Sequence, residues 1–202
     1  MLNKFNFKLK DFTSDSQIKP ELNGIYISPK ESVATDTFLL IRVQAPNFDL
    51  KDYPLIPNEK VLTNFKSFIL PKEKAESILK NLPQKTNLPI LENAVLLKQE
   101  KDFVEIGMTD LESSQKIRSR VIEGQFPNYK EILTKKGRYR KIIVNKKLLK
   151  KIVNFFDGFD DRKTNELEIE FSDDEKQPIR FSGERKATGQ KAEVLLMKIK
   201  SE

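Results

Sequence analysis

Hydrophobic residues recur along this chain at two spacings, and each spacing predicts an element. Alternation with polar residues predicts a half-buried strand, and a three-and-four spacing predicts an amphipathic helix. Phe5, Phe7 and Leu9 alternate with lysines and Asn6, so residues 4–12 predict a strand. ELNGIYIS (21–28) and SVATDTFLLIRV (32–43) predict two more, joined by a short turn at Pro29-Lys30. Residues 45–60 carry Pro46, Pro54 and Pro57 among polar residues, which predicts a connector without regular structure.

A second unit follows. FKSFIL (65–70) predicts a strand, and Pro71 stands at a favoured first helical position. Ala75, Ile78, Leu79 and Leu82 then keep helical spacing to Pro83, so 71–82 predicts a helix. Strands are predicted over 89–99, 102–110 and 113–124, with 124–133 as an extended connector. The third unit has the same order. RKIIV (140–144) predicts a strand, Asn145 an N-cap, 146–156 a helix stopped by Asp157-Gly158, and 166–171, 177–183 and 191–199 three strands. Strand, helix, strand, strand, strand therefore recurs, an internal repeat of about 60 residues. The first unit has the strands but little room for the helix.

Composition narrows the chemistry. The 202 residues include 37 basic and 30 acidic side chains, a net charge of +7, and no histidine, cysteine or tryptophan. Disulfide and thiolate sites are excluded, as are cysteine nucleophiles and histidine triads, and zinc loses its usual ligands. No apolar run approaches the roughly 18 residues that cross a bilayer, and the N-terminus lacks the apolar stretch of a signal peptide. The expectation is a cytoplasmic protein. The basic balance suggests a polyanionic partner, of which nucleic acid is the commonest.

The charge is segregated within the third unit. On helix 146–156, Leu148, Leu149, Ile152, Val153 and Phe156 share one face, and Lys147, Lys150, Lys151 and Asn154 the other, without an acid. Lys135, Lys136, Arg138, Arg140 and Lys141 extend this basic tract upstream. Strand 166–171 turns Glu166, Glu168 and Glu170 away from Leu167, Ile169 and Phe171. A body with one face toward a polyanion fits this pattern, and so does an ordinary solvated lysine face. Helix 71–82 is weaker, because Glu73 and Glu76 share its polar face with Lys80. Lysines without interleaved aromatics favour phosphate contact over base stacking. No phosphate-binding glycine loop, dinucleotide motif or calcium loop occurs. Asp160-Asp161 and Asp173-Asp174 are the remaining candidates for magnesium; paired acids in turns are usually just solvated. No cofactor and no metal are expected, and a binding or scaffold protein is favoured over an enzyme.

Three motifs carry a resemblance. LNGIYI (22–27) before VATDTFLL (33–40), TNLPILENAVLL (86–97) and EGQFPNYKEIL (123–133) resemble the bacterial sliding clamp, the DNA polymerase III beta subunit. The resemblance covers most of the chain from about residue 20. It implies an α+β clamp fold of repeated β-α-β-β-β halves, with helices on one face of antiparallel sheets. Residues 1–134 would form a domain like the middle one of that clamp, and 135–202 a C-terminal half-domain. The rival division joins the second and third units as 64–202.

The resemblance also implies partners. Double-stranded DNA would face Lys147, Lys150 and Lys151, with Arg138, Arg140, Lys72, Lys74 and Lys80 as further candidates. Glu166, Glu168 and Glu170 would lie on the outer sheet. An apolar pocket for peptides of the polymerase and clamp loader would draw on Thr35, Leu40, Pro127, Ile132, Leu196 and Met197. Thr37-Phe38 stands where the family has Gly-His, Glu131 replaces a basic residue, and the C-terminal proline is absent. The bacterial subunit carries six halves and closes as a dimer. Three halves here would need four chains for the same ring. The implied function is a processivity factor that encircles DNA. The alternatives are a non-ring clamp-like DNA-binding accessory and a metal-dependent enzyme using the aspartate pairs.

Overall fold

In the computed structural model the alternating N-terminus is a helix, which corrects the expected strand. Leu2–Asn3 forms a two-residue strand, β1, followed by α1 (Lys4–Phe7) and a 3-10 segment (Lys8–Phe12). Asn3 caps α1: its side chain accepts from Phe5 N at 3.1 Å, and its own N–H donates to Asn6 Oδ1 at 2.8 Å. This reciprocal cap satisfies amides that a strand would have paired. Phe7 and Leu9 are buried, but Phe5 is 52% exposed. The first repeat thus contains the helix it was expected to lack.

The structure describes residues 1–54, 56–84, 86–134, 141–159, 166–174 and 176–199, in two units, Met1–Leu133 and Thr134–Glu202. In the first unit, β2 (Gly24–Ile27), β3 (Glu31–Thr35) and β4 (Leu40–Gln44) follow a 3-10 turn at Pro20–Leu22. The single strand expected over 32–43 is therefore the hairpin β3–β4. A connector bearing a short 3-10 turn, Leu50–Asp52, leads to β5 (Phe68–Pro71) and α2 (Lys72–Asn81). Pro71 is the N-cap of α2 rather than its first residue. Then come β6 (Asn93–Gln99), β7 (Phe103–Thr109) and β8 (Ser114–Arg120), and a short helix, α3 (Tyr129–Thr134), inside the connector expected to be extended.

Two four-stranded antiparallel sheets result, in the orders β4-β3-β2-β5 and β1-β6-β7-β8. Each holds three strands of one repeat and the leading strand of the other. Gly24 opposes Pro71 and Ile25 opposes Leu70, just as Asn93 opposes Asn3 and Ala94 opposes Leu2. Each half completes the other's sheet. Gly24 has a specific reason to be glycine: a Cβ there would sit 2.5 Å from Leu70 O.

One core lies beneath the helices. Phe7, Leu9, Ala75, Ile78 and Leu82 pack onto Ile25, Ile27, Ala34 and Leu70 of one sheet, and onto Ala94, Leu96, Val104 and Ile106 of the other. A connector covers each remaining sheet face. Tyr53 and Ile56 pack on Val95 and Leu97, and Phe126 and Tyr129 pack on Val33 and Ile69.

The second unit is one more half. Asn145 Oδ1 accepts from Lys147 N (2.9 Å) and Leu148 N (3.3 Å), capping α4 (Lys146–Phe159). The helix passes through Asp157-Gly158, which does not stop it. Ile152 and Phe156 are buried against Ile179, Phe181 and Leu196 of a sheet ordered β11-β10-β9, where β9 is Glu168–Glu170, β10 Ile179–Arg185 and β11 Gln190–Leu196. Residues 141–145 carry no strand assignment, but Ile143 O accepts from Ile199 N at 2.8 Å. Ile69 O accepts from Ile122 N at 2.9 Å in the same way. Ile69 precedes α2 by three residues, and Ile143 precedes α4 by three. The repeat is longer than the 60 residues expected, since one offset relates Lys72 to Lys146 and Thr35 to Thr109.

Candidate nucleic-acid and peptide interfaces

The basic side chains sit on the helices, and their surroundings differ between the units. On α2, Lys72 is paired with Asp15, Lys80 with Glu76 at 3.0 Å, and Lys74 is exposed. The N-terminal helical segments add lysines that the strand expectation hid. Lys4 meets Glu92 at 2.5 Å, Lys10 meets Asp11 at 2.8 Å, and Lys8 lies 5.0 Å from the Phe5 ring centroid. The Asn3 cap was the signal that these residues are helical. On α4, Lys146, Lys147, Lys150 and Lys151 are all exposed. No acid occurs from Lys146 to Phe156, so this face carries four like charges within two turns. Such a face favours an oxyanion partner and weakens with salt. Arg138 and Arg140 lie outside the described residues, as do Asp160 and Asp161.

The apolar candidates fall in both units. In the first, Thr35 is buried and its hydroxyl is committed to a turn: it donates to Leu39 O at 2.6 Å and accepts from Thr37 N at 3.1 Å. Leu40 is half-buried beside Val33 and Tyr129. Pro127 is exposed, and Ile132 on α3 is 59% exposed. Phe38 is 94% exposed at the turn tip, an apolar side chain where the resemblance marks only a departure from Gly-His. In the second unit, Leu196 is buried in the core while Met197 is 61% exposed. A groove of about 1040 Å³ in the first unit, lined by Tyr26, Phe65, Ile69, Ile122 and Phe126, holds none of these candidates.

Beside this surface the sheet carries a half-buried polar link. Tyr129 OH donates to Glu31 Oε1 at 2.5 Å, and Arg42 lies 3.7 Å from the same carboxylate. Burial, reinforced by that anionic acceptor, holds the Tyr129 phenol well above its ordinary range. The Thr35 turn also has a twin. Thr109 Oγ1 donates to Ser113 O at 2.7 Å and accepts from Leu111 N at 3.1 Å. Asp36 Oδ1 accepts from Phe38 N and Leu39 N, and Asp110 Oδ1 from Glu112 N and Ser113 N. These amide donors hold both carboxyls below the usual carboxylate range. Thr37 (φ 86°) and Leu111 (φ 81°) occupy the same strained place, first of the two central residues. Positive φ there alone is the pattern of a type II′ turn, which favours glycine.

Asp174 Oδ1 accepts from Lys176 N at 2.9 Å, and the Asp174 carbonyl accepts from Lys198 Nζ at 2.8 Å. Among the described residues no group of three or more carboxylates could hold a metal ion. None of the described helices is long and apolar enough to cross a membrane.

No protein-family model matches the chain, and no curated protein does. Among solved structures it is similar to the DNA polymerase III subunit beta of Borrelia burgdorferi, at 19% identity and a TM-score of 0.65, over 96% of this chain and 44% of that one. It is similar to a DNA polymerase sliding clamp from Pseudomonas aeruginosa at 14% identity and TM-score 0.65, over 98% and 50% of the two chains. The Proliferating Cellular Nuclear Antigen of Entamoeba histolytica matches at 12% identity and TM-score 0.56, over 98% of this chain and 72% of that one. The chain has the α+β sliding-clamp fold and spans half or less of the length of these two bacterial clamps.

Proposed function

We propose that this chain is a DNA clamp that binds duplex DNA through its helices and tethers a replication partner through an apolar surface. The observation that carries this reading is the exposed lysine face of α4, without an acid before Asp157, on a fold shared with sliding clamps. Lys147, Lys150 and Lys151 contact phosphates, with Lys74 and Lys80 of α2 contributing less. The contacts are independent of sequence and loose enough for sliding. In the first unit Leu40, Pro127 and Ile132, with Thr35, supply a surface for peptides of the polymerase and clamp loader; Met197 and Leu196 of the second unit are separate candidates for such a contact. Four copies close the ring, because each brings three halves. The protein acts without catalysis, in the compartment that holds the DNA.

The test is topological. A closed ring stays on nicked circular DNA and is lost when that DNA is cut once, at constant salt. Loss at the same rate from circular and linear DNA refutes encirclement. That outcome supports the second reading, a clamp-like accessory that binds without encircling.

A further inference from the structure

We propose that two copies of this chain pair through their second units, each giving its leading segment, Lys141–Val144, to the β9 edge of the other. The two half-domains then make one whole domain.

The first unit shows what a half requires. The first strand of each three-stranded set, β2 or β6, is flanked by the other half's leading strand, β5 or β1. In the second unit that position belongs to β9, which among the described residues has a neighbour on one side only. The leading segment is present and unused in the same sense: Ile143 meets Ile199 as Ile69 meets Ile122, but no strand receives its other edge among the described residues.

Register follows from the pairings already described. Phe181 opposes Ile169 as Ile106 opposes Leu96, so Ile169 is the counterpart of Leu96, and Leu167 that of Ala94. Ala94 and Leu96 correspond to Ile25 and Ile27 of the other half, whose partners are Leu70 and Phe68. The offset between α2 and α4 turns Phe68 and Leu70 into Ile142 and Val144. A second copy therefore sets Val144 opposite Leu167 and Ile142 opposite Ile169.

Burial and charge agree with that register. Leu96 is 4% exposed, whereas its counterpart Ile169 is 51% exposed. Ile142, the residue that would cover it, is itself exposed, and so is Val153, whose counterpart Leu79 packs on the core. One step further along, Lys141 falls opposite Glu170, an opposite-charge cross-strand pair. Because the contact is two-fold, every pair occurs twice. The predicted register thus brings exposed isoleucines together and opposite charges together at once.

The chain has no cysteine, so thiol cross-linking is clean. The single variants Ile142→Cys and Ile169→Cys, both at exposed positions, are purified, mixed without DNA and oxidised. The expected product is a covalent species of about twice the 23.5 kDa chain mass, formed at least tenfold faster in the mixture than in either variant alone. A mixture that stays at single-chain mass overturns the proposal, as does either variant linking to itself as fast as the mixture. Sedimentation gives an independent check. The unmodified chain runs as a dimer or larger at micromolar concentration, and Ile169→Asp shifts it toward the monomer. A wild-type monomer overturns the proposal. The cross-link does not depend on ring closure or DNA, so cross-linking without topological retention refutes encirclement and leaves the pairing intact.

Discussion

The N-terminal segment separates helix from strand by which of its residues are buried, and three substitutions read it out. A strand over 4–12 would bury Phe5 and Phe7 alike and leave Asn6 in water. In the structure Phe7 and Asn6 are both fully buried, and Phe5 is 52% exposed. Phe7→Ala removes a ring from the main core and is expected to cost about 3–5 kcal/mol. Phe5→Ala loses half-exposed area and a lysine–ring contact 5.0 Å long, about 1 kcal/mol together. Asn6→Ala is the sharper case. Its amide donates to Val43 O (3.3 Å) and Gln44 O (3.4 Å), and its carbonyl accepts from Asn3 N. Removing it strips buried groups of partners, for about 1–3 kcal/mol. Urea unfolding followed by far-UV circular dichroism checks this. With a slope near 2 kcal/mol/M, Phe7→Ala moves the midpoint of the first unit down by about 2 M, and Phe5→Ala by about 0.5 M. Equal losses at Phe5 and Phe7, or a neutral Asn6→Ala, refute the helical assignment and restore the strand.

Four other outcomes are expected. Changing Lys147, Lys150 and Lys151 together to Glu weakens duplex binding for every sequence and makes the slope of log K against log salt shallower by about 3, measured by fluorescence anisotropy. Thr37→Gly and Leu111→Gly each relieve positive φ and raise stability by about 0.5–1 kcal/mol, additively because the turns are separate; a loss in both by urea titration refutes the strain. Gly24→Ala drives a Cβ against Leu70 O, breaks the β2–β5 exchange and lowers the thermal midpoint of the first unit by several degrees. Asp36 and Asp110 titrate below their unfolded values, so their contribution is whole above the unfolded carboxylate pKa and is lost as pH falls through the folded one. Asp36→Ala with Asp110→Ala therefore flattens the acid limb of the stability profile in that window, and leaves its basic limb unchanged.

What the sequence made legible was decided locally. On α4 the helical spacing, the exposed lysines and the Asn145 cap all lie within one element and match the structure, although Leu148 and Val153 of the apolar face are exposed. The N-terminus was misread because Asn6 is buried by carbonyls on β4, some 37 residues away, which no window along the chain contains. The strand exchange was equally hidden, since β1 and β5 are ordinary apolar fragments until their partners are known. Pro127 made its connector look extended, but α3 begins two residues beyond it. Of the candidate sites, the exposed lysines were readable from pattern. The commitment of Thr35 to its turn was not, although the Thr-Asp pair recurs at Thr109-Asp110.

The distribution of charge between the units links the two proposals. Helical lysines of the first unit stand beside acids: Lys4 with Glu92, Lys10 with Asp11, Lys72 with Asp15, Lys80 with Glu76. Exposed pairs of this kind contribute little to stability but partly neutralise the field a phosphate would meet. The α4 face has no acid from Lys146 to Phe156, with Asp157 only at its far end, and its field adds over four lysines. DNA affinity on this reading belongs mainly to the half-domain, the same element whose open edge calls for a second copy. Pairing two second units joins two α4 faces in one domain, so the strongest phosphate-binding surface is expected only in the assembled form. A chain that binds duplex weakly when Ile169→Asp blocks pairing, with every lysine intact, is what this coupling requires; undiminished binding by that variant would separate assembly from DNA contact.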